Sequence, residues 1–241
     1  DTCYDKLIVN EDYVPATLTE GLKLDGTGLD SYAKTVGNMT QKPVTIEAWV
    51  WVPKLAGGSR RQAIITNYTE PTVAKNAVGT WGLYTNEYTT LYYTERTSSG
   101  TFNHTLGVPV CNNSWNHVAI VRKQGTLDVY WNGEFVQTIA HAGMGDPAVV
   151  ENPMTIGYCS VAAGTEALNS LKGQVGDIRL WSTERTEAQI QANMYAEMTG
   201  KEDGLIQHWN FDSQEKGIVS NTVEGGLDVE LLGHTQIGNE E

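Results

Sequence analysis

Cysteines and long apolar runs are scarce in this sequence, and their scarcity excludes several functions. The three cysteines, Cys3, Cys111 and Cys159, occur in no Cys-x-x-Cys or Cys/His spacing that would indicate zinc binding or redox chemistry. They cannot all pair within the chain, so either Cys111 and Cys159 form one disulfide or the thiols are buried as small apolar groups. No apolar run approaches the roughly 20 residues that a membrane-spanning helix needs, so we expect no membrane span.

Basic residues are also few. The chain has 16 Lys and Arg residues against 29 Asp and Glu residues, which gives a formal net charge of -13. A field of this sign repels phosphate backbones and anionic lipids, so we expect no nucleic-acid partner. Neutral ligands and cations remain open.

Catalytic signatures are missing as well. The five histidines show no metal-ligand spacing, and no Gly-x-Ser-x-Gly nucleophile motif occurs. No motif in the chain requires a cofactor. An enzyme would therefore need carboxylates that are brought together from separate strands.

The sequence instead contains strand patterns along nearly its whole length. In the segment 126–131 apolar residues alternate with polar ones, which is the period of a strand with one buried face. Asn132-Gly133 follows, and because both residues tolerate the positive φ of a type I′ turn, residues 134–137 should return antiparallel. Further strands are expected at residues 44–52, 62–68, 81–85, 90–96, 114–121, 154–158, 171–181, 205–211 and 227–232. Roughly a dozen strands exceed what one sheet normally holds, so two antiparallel sheets are predicted.

A single helix interrupts this pattern. Thr186 and Gln189 have the spacing of a capping box, while Ile190, Met194 and Met198 share one face before Gly200 ends the helix. We expect this helix to cover an edge of the sheets, with its methionines in core packing. No Pro-, Gly- or Ser-rich linker divides the chain, so we expect one domain over residues 1–241, with residues 1–20 as an N-terminal lead-in.

Six short motifs follow one another along the chain. They are GLKLDG at residues 21–26, TIEAWV at 45–50, SWNHVA at 114–119, TIG at 155–157, LKGQVGDIRLW at 171–181 and GLIQHWNFD at 204–212. In this order they resemble the bacterial laminin-G-like and pentraxin-like domains of the concanavalin A-like lectin/glucanase superfamily. The resemblance extends from about residue 21 to the end of the chain.

The resemblance implies an all-β jelly-roll sandwich of two antiparallel sheets, one of them curved enough to offer a concave face. Members are mostly glycan-binding or adhesive modules of secreted or surface-attached bacterial proteins, and some relatives hydrolyse β-glucans. Because the fold does not choose among these functions, the choice depends on the residues of the site.

The carboxylates of this chain do not match the glucanase branch, which mounts its catalytic pair on one strand as Glu-x-Asp-x-(x)-Glu. Glu47 stands alone among tryptophans, Asp128 has no acidic partner at i+2 or i+4, and Asp177 is followed at i+2 by Arg179. A salt bridge between Asp177 and Arg179 on a strand face is the simpler interpretation. An enzyme is therefore the less favoured hypothesis.

Sugar binding needs an aromatic ring that stacks on a pyranose face, with amides and carboxylates nearby for the hydroxyls. If Leu83 and Leu91 face the core, alternation turns Tyr84 and Tyr92 to the other face, and Trp115 matches a packing position of the family. The candidate carbohydrate-binding residues are Trp51, Tyr84, Tyr88, Tyr92, Tyr93 and Tyr130. Cross-strand packing is the alternative role for each of them.

Calcium is the one metal that the resemblance suggests. Pentraxins hold their ligand through calcium bound by several acidic residues in the loop after the Ile-Gly strand, where this chain has only Glu166. Calcium takes six to eight oxygens, so we expect no calcium of this type. Relatives also hold a structural calcium between a sheet edge and terminal loops, for which Asp25 or Asp212 could supply a ligand.

We therefore interpret the chain as a non-catalytic carbohydrate-binding or adhesion module of a secreted, periplasmic or cell-surface bacterial protein. Its expected partner is a polysaccharide or glycoconjugate. The first alternative is a protein-binding or assembly domain that packs on a neighbouring domain N-terminal to this chain. A glycoside hydrolase is the second alternative.

Overall fold

A computed structural model describes residues 21–54, 61–68, 77–86, 90–110, 112–159 and 170–238. The strands of this part are β1 (Gly21–Asp25), β2 (Ser31–Thr35), β3 (Thr45–Trp51), β4 (Arg61–Thr66), β5 (Trp81–Asn86), β6 (Thr90–Thr97), β7 (Gly100–Pro109), β8 (Trp115–Lys123), β9 (Thr126–Trp131), β10 (Glu134–Ala140), β11 (Thr155–Ile156), β12 (Lys172–Trp181), β13 (Leu205–Trp209), β14 (Ile218–Val219), β15 (Val229–Gly233) and β16 (Gln236–Gly238). The helix is α1 (Glu187–Asn193). No helix among the described residues is long and apolar enough to cross a membrane.

The strands form two eight-stranded antiparallel sheets. Sheet A has the order β10-β9-β8-β3-β12-β1-β16, with β13 paired to β12, and sheet B has the order β14-β15-β2-β11-β4-β5-β6-β7. Many neighbours in each sheet are distant in sequence, which is the pattern of a jelly-roll sandwich. The predicted all-β architecture is confirmed.

One apolar core lies between the two sheets. In β3, for example, Ile46, Ala48 and Val50 belong to this core, whereas Trp49 and Trp51 point away from it. We call the side of each sheet that is turned away from the other sheet its outer face. The alternation of apolar residues that predicts the strands therefore also separates core residues from candidate site residues.

The predicted hairpin is confirmed. β8 pairs with β9 and β9 pairs with β10, and the turn residues Asn132 and Gly133 have φ angles of 48° and 82°. Both angles are positive, as a type I′ turn requires, and Asn and Gly reach them with little steric strain. A shift in register between Phe135 and Gln137 follows in β10, which is an edge strand of sheet A.

An ion cluster inside the core links the two sheets. Glu95 of β6 accepts two hydrogen bonds of 2.7 Å from the guanidinium of Arg122 of β8, one of 3.0 Å from Lys42 and one of 2.9 Å from the hydroxyl of Tyr93. None of these four side chains is more than 4% exposed. A buried charge is tolerated when its partners satisfy it in this way. No pattern in the sequence predicts this cluster.

A bulge in β12 determines which of its side chains face outward. Relative to β3, one extra residue is inserted between Gly176 and Arg179, and Asp177 takes a left-handed φ of 44°. Because of the extra residue, Ile178 belongs to the core. Regular alternation from Val175 would have turned Asp177 into the core instead.

The helix α1 lies on the outer face of sheet A. Thr186 caps its first turn, and the predicted capping box with Gln189 is present. Ile190 packs against Tyr130 of β9 and two small apolar residues of β8. The helix therefore covers part of the sheet, as the sequence predicts.

The helix ends earlier than predicted. It stops at Asn193, and Met194 is its C-cap, so Met198 and Gly200 lie beyond it. Arg179 of β12 donates hydrogen bonds to the carbonyl oxygens of Asn193 and Ala196. These contacts bind the chain after Asn193 to sheet A in place of a further helical turn.

Candidate ligand site on the outer face of sheet A

The outer face of sheet A is covered in one part and open in another. The covered part lies beneath α1 and the residues that follow it, where the indole nitrogen of Trp49 donates to the carbonyl of Met194 at 3.0 Å. The open part lies where β1, β16 and the ends of β3 and β12 meet. Polar side chains occur in both parts, but they have different surroundings.

Asp177, Arg179 and His208 form the first half of the covered part. Nε of Arg179 donates to Oδ1 of Asp177 at 2.8 Å, a second guanidinium nitrogen contacts Oδ2, and Nε2 of His208 lies 2.8 Å from Oδ1. Burial by itself raises the pKa of Asp177, but the charge of Arg179 and the hydrogen bonds from His208 and Arg179 outweigh it and lower this pKa to about 2. The predicted salt bridge between Asp177 and Arg179 is confirmed.

Glu47 and two basic side chains form the second half. The carboxylate oxygens of Glu47 lie 3.3 Å from Nε2 of His117 and 3.9 Å from Nε of Arg185. Arg185 in turn lies over the ring of Trp181, 3.9 Å from its centroid. We call Glu47, His117, Asp177, Arg179, Arg185 and His208 together the covered cluster. Glu47 and Asp177 are both at most 1% exposed, so neither carboxylate is accessible to a substrate.

At the open end, one row of side chains crosses five strands. The register pairs Gln236 with Lys23, Lys23 with Gln174, Gln174 with Trp51, and Trp51 with Trp115. Side chains of directly paired residues point to the same face of a sheet. Trp51 and Trp115 are half-buried, so part of each ring remains accessible.

A cavity of about 280 Å³ opens over this row, and we call it the open groove. Its lining residues are Lys23, Leu24, Asp25, Trp51, Pro53, Lys172, Gly173, His234 and Gln236. The lining thus combines an aromatic ring and a proline with hydrogen-bonding and charged groups. Its volume is near the lower end of that of small-molecule sites, which suits one sugar ring at a time.

Gly173 shapes the floor of the open groove. Its φ is +147°, and a Cβ atom at this position would lie 2.3 Å from the carbonyl oxygen of Trp51. Contacts this short do not occur, so a side chain at Gly173 would push β12 and β3 apart. The glycine therefore helps to set the position of Trp51.

Asp25 supplies the carboxylate of the open groove. Its Oδ1 accepts hydrogen bonds from the backbone N–H and the hydroxyl of Thr27 at 2.9 and 2.5 Å, and its Oδ2 lies 3.4 Å from Nδ1 of His234. Partial burial raises the pKa of Asp25, but these hydrogen bonds outweigh it and lower the pKa below its usual value. Asp25 is therefore an ionised acceptor at neutral pH.

Two of the candidate tyrosines are buried, although Tyr84 lies on the face that alternation predicts. Tyr93 is 0% exposed because it faces the inter-sheet core, where it bonds to Glu95. Tyr84 is on the outer face of sheet B, but it is 4% exposed and its hydroxyl lies 3.2 Å from Oγ1 of Thr66. Burial raises the pKa of both phenols well above its usual value. Neither ring offers a face for stacking.

The other candidate aromatics lie on different faces of the molecule. Tyr130 is on the outer face of sheet A, but α1 covers it and leaves it 5% exposed. Tyr92 is half-buried on the outer face of sheet B, with the guanidinium of Arg61 4.1 Å from its ring centroid. Tyr88 lies outside the described residues. Trp51 and Tyr92 are thus separated by the whole sandwich and cannot line one site.

The open groove also contains residues that the sequence analysis did not select. It joins Trp51 and Asp25, which were candidates for different roles, with Lys23, Lys172 and His234. These residues could not be selected without the register of the strands, which brings β1 and β16 together although they are distant in sequence. Trp115, expected to pack, is paired with Trp51 and half-buried beside the groove.

The two calcium candidates have separate surroundings. Asp25 lies in the open groove, whereas Asp212 follows β13 and accepts a hydrogen bond of 2.7 Å from Nδ2 of Asn210. Within the part of the chain that the structure describes, no three Asp, Glu, His or Cys side chains come together to hold a metal ion. Structural calcium therefore stays a prediction from the resemblance.

The thiol of Cys159 is buried on the outer face of sheet B. It lies 3.8 Å from the hydroxyl of Tyr84 and donates to the carbonyl of Tyr68 at 3.5 Å. Cys3 and Cys111 are outside the described residues.

Comparison with known proteins identifies the type of domain. A family model described as the concanavalin A-like lectin/glucanases superfamily matches residues 25–191. A solved structure from Bacteroides ovatus, of a protein provisionally described as carbohydrate binding, superposes with a TM-score of 0.68 at 20% identity, over 93% of this chain and 60% of that chain. The SAP-like heptameric pentraxin of Limulus polyphemus superposes with a TM-score of 0.61 at 16% identity, over 95% of this chain and 98% of that one.

At these identities the likeness to solved structures shows the fold alone. The chain spans 60% of the length of the Bacteroides ovatus protein. No curated protein matches this chain.

Proposed function

We propose that this chain, which belongs to the concanavalin A-like lectin/glucanases superfamily, is a non-catalytic carbohydrate-binding module that holds its ligand in the open groove. The observation that carries the proposal is the half-buried ring of Trp51 in a cavity with Lys23, Asp25 and Gln236. A ring of this kind stacks on the apolar face of a pyranose. The polar groups around it replace water at the sugar hydroxyls.

The groups of the open groove complement those of a sugar. A hydroxyl both donates and accepts hydrogen bonds, so its site needs acceptors as well as donors. The carboxylate of Asp25 accepts, the ammonium groups of Lys23 and Lys172 donate, and the amide of Gln236 does both. The half-buried Trp51 has little rotamer freedom to lose on binding, which favours affinity.

Binding without hydrolysis agrees with the distribution of carboxylates. Glycoside hydrolysis uses two carboxyl groups on either side of the scissile bond. Among the described residues that line the groove, Asp25 is the single carboxylate. Glu47 and Asp177 are held in the covered cluster by basic partners.

Isothermal titration against a panel of plant, host and microbial glycans tests the proposal. At least one glycan should bind the wild-type protein, and Trp51→Ala should weaken that binding about tenfold or more, since it removes the stacking surface. Phe135→Ala is the matched control, because Phe135 is an aromatic residue 48% exposed on β10, outside the groove. Equal binding by Trp51→Ala and wild type would assign the sugar to another surface.

A protein-binding or assembly role is the second candidate. Phe135 and Val136 favour it, because they are neighbouring apolar residues exposed on the edge strand β10. Absence of binding across the whole glycan panel would support this role over the first. In that case Phe135→Ala, and not Trp51→Ala, should reduce association with the protein partner.

We also propose that the module belongs to a secreted, periplasmic or cell-surface bacterial protein and adheres there to polysaccharide or glycoconjugate. The resemblance of its six motifs to bacterial laminin-G-like domains supports this location. Protease treatment of intact cells that express the native gene tests it. Digestion of the protein without cell lysis is expected for surface display, and release into the periplasmic or culture fraction is expected for the other two locations.

A further inference from the structure

The charges in the open groove point to a class of sugar, and we propose that the groove prefers acidic glycans, in which a pyranose carries a carboxylate. This inference rests on the proposed function and narrows it. A negatively charged ligand is the opposite of what the overall charge of -13 favours, so the local charge of the groove must differ from that of the rest of the surface.

The groove concentrates positive charge. Lys23 and Lys172 both line it, with Asp25 as the one carboxylate among its described lining residues, and His234 lies beside Asp25. Lys172 is paired in register with Asp25 across β12 and β1, whereas Lys23 stands between the uncharged Gln236 and Gln174. The positive charge that Asp25 does not balance is therefore centred on Lys23.

Several other basic side chains among the described residues are paired with carboxylates. Arg122 and Lys42 bind Glu95, Arg179 binds Asp177, and Lys123 lies against Asp128. Lys23 has no ion-pair partner among the described residues. Acidic residues outnumber basic ones in this chain, yet none of the described carboxylates pairs with Lys23. The charge of Lys23 is therefore left available to a ligand.

The overall negative charge does not cancel this local effect. The Debye length is about 8 Å at physiological ionic strength, so acidic groups elsewhere on the surface are largely screened. A ligand carboxylate in the groove would instead contact the ammonium groups of Lys23 and Lys172 directly. Charge-assisted hydrogen bonds of this kind are stronger than neutral ones.

The arrangement fits an acidic sugar better than a nucleic acid. Trp51 would also stack on a base, but binding of a nucleic-acid strand depends on a basic channel that follows its phosphates, whereas the described lining of the groove has one carboxylate beside two lysines. Asp25 would face those phosphates inside the groove. In an acidic glycan the same carboxylate accepts hydrogen bonds from hydroxyls while the lysines contact the sugar carboxylate.

Pairs of polysaccharides that differ only in charge test the preference. We would titrate polygalacturonate, alginate and hyaluronate, and the carboxyl-reduced neutral form of each, into the full chain, together with neutral glucans and a single-stranded oligonucleotide. At least one acidic polymer should bind about tenfold more tightly than its reduced form. This difference should shrink when the salt concentration rises from about 0.05 M to 0.5 M, because salt screens the added charge.

The double variant Lys23→Gln, Lys172→Gln assigns the preference to the groove. It should lose about tenfold in affinity for the acidic polymer and bind the neutral form as wild type does. Lys201→Gln is the matched control, since Lys201 is an exposed lysine outside the groove. It should change neither affinity.

The outcomes separate this inference from the proposed function. If neutral glycans bind as well as or better than every acidic one, and Trp51→Ala abolishes that binding, the preference is wrong and the sugar-binding function stands. Tighter binding of the oligonucleotide than of every polysaccharide overturns the preference in favour of a nucleic acid. If no polysaccharide binds, both the preference and the proposed function fail.

Discussion

The covered cluster and the open groove lie on the same face of the same sheet, yet they use polar residues for different purposes. In the covered cluster, Asp177 is enclosed by Arg179 and His208, and α1 with its following turn excludes solvent. In the open groove, Lys23 and Asp25 stand at the edge of the sheet beside an accessible ring of Trp51. The comparison teaches that the covering layer, and not residue type, decides which charged side chains stabilise the fold and which are left for a ligand.

This difference has energetic consequences. Removing one partner of a buried, hydrogen-bonded ion pair leaves an uncompensated charge in a medium of low polarity, which costs about 3–5 kcal/mol. Exposed charges near water contribute about 0–1 kcal/mol each. Substitutions in the two regions should therefore separate stability from binding.

Arg179→Ala should have the largest effect on stability. It removes the partner of Asp177 and the donor to the carbonyls of Asn193 and Ala196, so we expect the free energy of unfolding to fall by about 3–5 kcal/mol. Urea denaturation followed by tryptophan fluorescence measures this change, with Lys201→Ala as an exposed control. A loss below about 1 kcal/mol would show that the covered cluster does not stabilise the fold.

Gly173→Ala should also destabilise the protein, although it lies in the open groove. The added Cβ would sit 2.3 Å from the carbonyl of Trp51 at a φ of +147°, so we expect a loss of about 2–3 kcal/mol together with weaker glycan binding. The same denaturation and titration experiments measure both effects. Unchanged affinity in a destabilised variant would mean that the backbone floor does not position Trp51.

Acid should weaken the covered cluster, but only at low pH. The pKa of Asp177 is about 2 in the folded protein against a usual 3.8, so its contribution is complete above about pH 4 and disappears as the pH falls through 2. This shift corresponds to about 2 kcal/mol. Asp146, whose pKa is also lowered to about 2 by hydrogen bonds from Ser98 and Ala148, adds to the loss in the same interval.

Asp177→Asn separates these two contributions. Asn tolerates the left-handed φ of this position, so the bulge should persist, while the carboxyl titration is removed. Between pH 4 and pH 2, the stability of the variant should therefore fall less steeply than that of the wild type. Equal slopes would exclude Asp177 as a source of the acid sensitivity.

Lys23→Gln should have the smallest effect on stability. Lys23 lies at the open end and has no ion-pair partner among the described residues, so we expect a change within about 0.5 kcal/mol. Its affinity for an acidic glycan should nevertheless fall. If the variant lost as much stability as Arg179→Ala, the distinction between the two regions would be wrong.

The sequence predicts those parts of the fold that depend on neighbouring residues. The turn at Asn132-Gly133 and the capping box of Thr186 and Gln189 are local, and both are present. The strand β7 was not predicted, because its polar residues hide the alternation of Phe102, Leu106 and Val108 into the core. Strand patterns identify a buried face only where polar and apolar residues alternate clearly.

The site depends on information that one sequence does not contain. Trp51 was identified from its place in an alternating strand, but its neighbours in the groove come from β1, β12 and the residues around β16. Tyr93 shares the core face of Leu91, and its hydroxyl bonds to Glu95, a charged residue that would normally indicate an exposed face. Long-range register and buried ion clusters arise from the packing of both sheets, which local patterns do not encode.

The seven tryptophans provide the most direct test of the central claim, that the ligand site is the open groove. In a nuclear magnetic resonance titration with the glycan that binds best, the indole N–H signals of Trp51 and its neighbour Trp115 should shift. The signals of Trp49, Trp81, Trp131, Trp181 and Trp209, which are all at most 9% exposed, should not move. Saturable binding that leaves the Trp51 signal unchanged would contradict the account.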